Sequence, residues 1–170
     1  DRTVGLFAGA GWGQARTSGD RLDESALFGG VYGQGVFGGT TLDIALALGG
    51  TYYDSSRAVS TVGGMQTAVA GYGGLFIAPE LGLTQRFEAW GQAVEVAGSV
   101  RYGALLLDGY TETGSLGNLS VDARSIHHLS ARAQIAVPFE ARHEDGGLTL
   151  VTPRLGVEAT SQFGANTVTG

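Results

Sequence analysis

Residues 41–50 read TLDIALALGG. In an extended chain successive side chains point to opposite faces, so Leu42, Ile44, Leu46 and Leu48 share one side and Asp43, Ala45, Ala47 and Gly49 the other. Large apolar groups meet one environment, small or charged groups another. The stretch therefore reads as a strand with two unlike faces. In a soluble sheet the leucines would look into a core; in a membrane sheet they would look into lipid.

The same alternation recurs between polar or glycine-rich breaks along the chain, and helical periodicity does not. The expected class is all-β, an antiparallel chain of about seven strands. The first covers Thr3–Arg16 and the second Ser25–Phe37, whose glycines leave the facing of Leu27, Phe28, Val31 and Tyr32 open. The third runs from Thr41 to about Ser55 and the fourth from Thr67 to Phe87, with Val69, Leu75, Ile77, Pro79, Leu81 and Leu83 in one unbroken phase. The fifth carries Val94, Val96, Val100, Tyr102, Ala104 and Leu106; the sixth spans His128–Arg142; the seventh spans Val151–Ala159. The connections near residues 38, 89 and 145 are short, and TSGDRLDE (17–24), 56–66 and 111–124 read as longer polar loops. Long strands with one trimmed end and one loopy end describe a transmembrane β-barrel.

The polar faces choose between the two environments. Asp43, Glu80, Glu95, Glu140 and Glu158 fall on the same side as Arg86, Arg101, Arg132, Arg142 and Arg154, while the opposite face is almost free of charge. These ten residues are expected to line a wet lumen, where acids and bases can pair, because an arginine at the bilayer midplane costs about 2–4 kcal/mol. The chain has no lysine, and 15% charged residues are fewer than the outward faces of a soluble barrel normally carry. Trp12, Tyr52, Tyr53 and Tyr110 toward one end, with Phe37, Phe87 and Trp90 toward the other, resemble two interfacial girdles. Pro79 and Pro153 on the apolar face would each cost a ladder hydrogen bond, implying a bulge or an edge.

Other chemistry has little to stand on. There is no cysteine, which excludes disulfides, thiolate metal sites and cysteine nucleophiles. The net charge is -6 and the ten basic residues form no cluster, so no nucleic-acid partner is expected. No apolar run is long enough for a transmembrane helix. GQGVFG (33–38) fits a dinucleotide fingerprint by letters, but the two-residue pattern follows it where a phosphate site needs a helix. His127 and His128 are adjacent and point to opposite faces; no metal or cofactor site is expected. Ser130, His128 and Glu140 share the polar face without any sign of an activated nucleophile and oxyanion hole. No enzymatic activity is expected.

The run VRYGALLLDGYTETGSLGNLSVDARSIHHLSARAQI from Val100, with LFIAPELGLTQRF and GVFGGTTLDIALALGGTYYD, resembles the β-domain of bacterial type V autotransporters. That resemblance implies a twelve-stranded barrel in the bacterial outer membrane that anchors its protein and helps translocate a passenger domain to the cell surface, in many members threaded by a helix. It implies outer-membrane lipid, a passenger polypeptide and the barrel-assembly machinery as partners. About seven strands are visible, no helix precedes Thr3, and the chain ends in NTVTG instead of a strand with a terminal aromatic. Residues 1–170 are accordingly expected to be one barrel domain, incomplete at both ends. The alternative reading is a soluble β-barrel or sandwich binding an apolar ligand inside.

Overall fold

A computed structural model describes residues 1–142 and 147–164. The elements are β1 (Arg2–Arg16), β2 (Asp20–Phe37), β3 (Thr40–Thr61), β4 (Gly64–Ala89), β5 (Gln92–Leu107), β6 (Tyr110–Thr111), β7 (Ser120–Val121), β8 (Arg124–Ala136), β9 (Phe139–Arg142), β10 (Leu148–Val151) and β11 (Arg154–Gly164). Among the described residues every regular element is a strand. Seven of them form one antiparallel sheet in the order β1-β2-β3-β4-β5-β8-β11. The sheet is open, with β1 and β11 at its edges.

The register assigns both faces. One row joins Leu6, Val31, Leu46 and Pro79; the next joins Ala8, Gly29, Leu48, Ile77, Ala104, His127 and Phe163. This belt face resolves the second strand: Leu27 and Val31 lie on it, and Phe28 and Tyr32 on the other. It is apolar and open, with Leu6 82% and Val157 74% exposed. On β3 the belt runs from Leu42 to Tyr52, and the next residue on that face is Asp54. That span matches the ~9–11 residues of a tilted strand crossing a bilayer.

Two expected loops are strand. β2 starts at Asp20, leaving only 17–19 as a turn, and β3 and β4 extend the hairpin to Thr61 and Gly64. Beyond the belt both faces turn polar, so the alternation that marks a strand vanishes while the backbone ladder continues. Gly19 and Gly64 take the positive φ that such tight turns need. At the opposite end Trp90 and Gly91, φ 52 and 72, form a two-residue turn of the mirror-image type that suits hairpin twist.

The third loop is also largely a hairpin. β6 and β7 keep the register of β5 and β8, since Leu107↔Arg124 is followed three residues on by Tyr110↔Val121. Likewise β9 and β10 continue the β8–β11 register across a break at 137–138 and 152–153. Pro138 and Pro153 cause that break, because neither has an N–H for the ladder; Pro153 O still accepts from Val137 N at 3.2 Å. The sixth and seventh strands are thus each divided, and the turn expected near residue 145 lies outside the described residues. Pro79 makes neither a bulge nor an edge: the ladder to β5 lapses at Ala78 and Pro79 and resumes unshifted between Ile77↔Ala104 and Glu80↔Arg101.

Glycine packs the second face. Phe28 stands opposite Gly9 and Gly49, and Phe76 opposite Gly49, so rings on one strand lie across glycines on the next. A Cβ on Gly49 would collide with Leu27 O and meet Phe76 Cε1 at 2.7 Å and Phe28 Cβ at 2.8 Å. A Cβ on Gly103, also in a strand, would meet nothing within 4 Å. Gly49→Ala is expected to cost about 1–3 kcal/mol by overpacking, and Gly103→Ala to be neutral or slightly stabilising. Urea-unfolding midpoints of the two variants in detergent check this; equal midpoints would contradict the packing described.

Candidate functional site

The charged residues collect on the face opposite the belt, in the half nearest the turns at 38–39 and 90–91. One row reads Arg86, Glu95, Ala136 and Arg154. Another reads Gln34, Asp43, Gly82, Ser99, Arg132 and Glu158, and a third Gly5, Tyr32, Ala45, Glu80, Arg101, Ser130 and Thr160. Eight of the ten residues expected together, Asp43, Glu80, Arg86, Glu95, Arg101, Arg132, Arg154 and Glu158, therefore share one face of the main sheet. Glu140 and Arg142 stand apart in β9, opposite Leu150 and Leu148 of β10, beyond the proline break. The break separates them from the main sheet, although β9 and β10 keep the register of β8 and β11.

Five of these charged residues bond to a neighbour on this face. Arg101 donates Nε to Glu80 Oε2 and Nη2 to Glu80 Oε1, both at 3.0 Å, a two-pronged pair. Arg86 Nη2 donates to Glu95 Oε2 at 2.9 Å, and Gln34 Nε2 to Asp43 Oδ1 at 2.7 Å. Thr40 and Gln85 add a hydroxyl-to-amide contact. The arginines are about two-thirds exposed, so each pair contributes on the order of 0.2–1 kcal/mol in open water. Ser130 is buried between Arg101 and Thr160, with His128 in the same strand and Glu140 in the separate ribbon; the three do not converge. His127 is on the belt face, its Nδ1 2.6 Å from Tyr102 Oη and its ring stacked on Phe163. Residues 33–38 lie in β2 and its turn, with no helix following.

Toward the opposite end, the same face carries an aromatic assembly. Tyr53 and Tyr72 stack at 5.0 Å, Tyr72 and Tyr110 at 4.4 Å, and the Arg124 guanidinium lies 5.8 and 5.9 Å from the last two rings. Tyr53 Oη donates to Glu24 Oε1 at 3.1 Å. Five segments, β2, β3, β4, β6 and β8, are joined by this chain of contacts, and Tyr53, Tyr72 and Leu107 are its buried centre. Tyr53 and Tyr110 thus leave the expected girdle, while Trp12 and Tyr52 stay on the belt face. Tyr53 shares the odd-numbered phase of Asp43, which placed it on the polar side; Tyr72 and Tyr110 become its neighbours only through register. Tyr72→Ala is expected to cost about 3–5 kcal/mol, as for a large buried ring, and Tyr72→Phe less than about 1 kcal/mol. Urea titration of both variants distinguishes stacking from hydroxyl chemistry.

The sequence profile of the autotransporter β-domain matches residues 1–170. Among curated proteins none matches. The fold is similar to the translocator domain of the autotransporter NalP from Neisseria meningitidis, with TM-score 0.70, 16% identity, 92% of this chain covered and 54% of that chain. The β-domain of the Bordetella autotransporter BrkA aligns with 18% identity over 96% of this chain and 74% of its own, with TM-score 0.39. The chain thus spans about half the length of the NalP domain. On the match over its whole length, the chain belongs to the autotransporter β-domain family.

Proposed function

We propose that this chain forms much of the wall of a β-barrel in the bacterial outer membrane, which anchors its protein and helps translocate a passenger polypeptide to the cell surface. The observation that carries the reading is the partition of charge across a single sheet: paired acids and arginines on one face, and a charge-free belt of bilayer-spanning length on the other. In lipid every backbone N–H and C=O must be satisfied within the protein, so a spanning sheet has to close on itself. Water then fills the lumen, the belt meets hydrocarbon, and Asp43, Glu80, Arg86, Glu95, Arg101, Arg132, Arg154 and Glu158 hold the inner wall hydrated and rigid. Glu140 and Arg142 extend the same polarity at the rim.

Strand parity supports a larger ring. With seven antiparallel strands, β1 and β11 run in the same direction, so antiparallel closure takes an odd number of further strands. A second copy inserted with the same orientation would offer only parallel edges. On this reading the remaining strands belong to the same polypeptide and residues 1–170 are part of one barrel domain; a ring of twelve, the family's expected number, needs five more. The barrel-assembly machinery inserts it, and its work is transport with no catalytic step and no nucleic-acid partner. A soluble barrel would have to bury the belt face that is here the most exposed.

Neighbouring substitutions on opposite faces test this. In the full-length protein, Leu46→Arg should lower stability in lipid vesicles by about 2–4 kcal/mol, and Ala45→Arg by less than half as much. Urea titration with a boiled-versus-unboiled gel shift as the folding signal reads both. Equal costs, or the reverse order, would sink the assignment of faces.

A further inference from the structure

The hairpin of β6 and β7 is tied to its neighbours through one carboxylate. Glu112, 5% exposed, receives Arg57 Nε at 3.1 Å, Arg57 Nη2, and Leu119 N at 2.8 Å. Arg57 belongs to β3, and its Nη2 also donates to Gly117 O at 3.0 Å. Leu119 lies across the hairpin from Glu112, whose own N donates to Leu119 O at 2.8 Å. One side chain therefore closes the hairpin tip and docks it to the β3–β4 extension.

Beside this charge pair the other contacts of the tip are uncharged. The ladder is interrupted on both strands, at 108–109 and 122–123, where the hairpin joins β5 and β8. Val69 and Thr113 exchange two backbone bonds of 2.9 Å, Leu116 N donates to Gln66 Oε1 at 2.8 Å, and Tyr110 stacks on Tyr72. The two-sided interruption, spanned by the 2.9 Å bond from Asp108 N to Gly73 O, makes a hinge, and Arg57–Glu112 is the ion pair beyond it. Removing one partner of a buried charge pair leaves the other uncompensated, which makes this pair the weak point of the docking.

We propose that Arg57 and Glu112 form a latch that holds the 108–123 hairpin as a fixed collar on the β3–β4 extension, and that loss of the Glu112 charge lets the hairpin swing free while the wall stays intact. The charged and titratable groups around the pair are Arg57 itself, with Asp20 and Tyr110 beside the guanidinium. Arg57 first, and then the Leu119 amide against the opposing effect of burial, hold the Glu112 carboxyl below its ordinary value of 4.5. A depressed carboxyl contributes stability above its unfolded value and loses it as pH falls through the depressed one. The collar is accordingly fixed at neutral and mildly acidic pH and released only in stronger acid.

The chain has no cysteine, so spin labels can be placed at Met65→Cys and Leu116→Cys, exposed residues on the two tips, in the full-length protein in vesicles. The expected result at pH 7 is a narrow distance distribution that at least doubles in width with Glu112→Gln or Arg57→Gln, while the gel-shift signal of the folded wall is unchanged. Acidification should broaden it in the parent protein below pH 4.5 and change nothing further in Glu112→Gln. If either variant does not assemble, the acid titration of the parent decides. Equal widths in parent and assembled variants, or no broadening of the parent in acid while the wall stays folded, would overturn the latch. The readout involves no export, so its failure would leave the transport reading untouched, and failure of that reading would leave the latch untouched.

Discussion

The antiparallel ladder governs everything else in this protein. A strand has a side-chain period of two, so once one pair is in register all the others on that strand are assigned a face. Val31 opposite Leu46 and Leu46 opposite Pro79 fix the belt, and Gln34 opposite Asp43 and Glu80 opposite Arg101 follow on the reverse side. A slip of one residue in any pair would bring arginines to the belt and leucines among the carboxylates. The register is therefore held by both faces at once, with the backbone bonds giving the direction and the side chains the phase.

The polar face is zoned, and each zone solves a different packing problem. Near the turns at 38–39 and 90–91, long charged side chains pair with the residues directly opposite, Arg86 with Glu95 and Arg101 with Glu80. In the middle, Phe28, Phe76, Leu105 and Ile126 follow one another across β2, β4, β5 and β8, with Gly9 and Gly49 beside the rings. These rings are packed onto glycines, which gives glycines such as Gly9 and Gly49 a place inside long regular strands despite their entropic cost. At the far end tyrosines replace phenylalanines, and the assembly ends in Glu24 on one side and Arg124 on the other.

Much of this was legible in the sequence wherever one face was apolar. TLDIALAL and the phase from Leu75 to Leu83 identified strands, facing and most of the charged set, because lipid or a core imposes alternation. The same signal is silent beyond the belt, where Asp20–Glu24 and Arg57–Thr61 are, apart from Leu22 and Val59, polar or small on both faces yet remain paired; they read as loops and are strands. Tyr53, Tyr72 and Tyr110 lie far apart in the chain, and Glu112 lies 55 residues from Arg57, so only the fold brings them together. Glu140 and Arg142 lie beyond the break at Pro138, in a ribbon separate from the main sheet that holds the other eight.

The central claim, that the leucines of residues 41–50 face hydrocarbon and Asp43 faces water, is open to a direct reading. Single cysteines placed in turn at positions 42 to 48 of the full-length protein, labelled with a small fluorophore in vesicles whose acyl chains carry bromine, report contact with lipid by quenching. The account predicts strong quenching at 42, 44, 46 and 48 and weak quenching at 43, 45 and 47. Uniform quenching, or quenching of the odd positions alone, would contradict it.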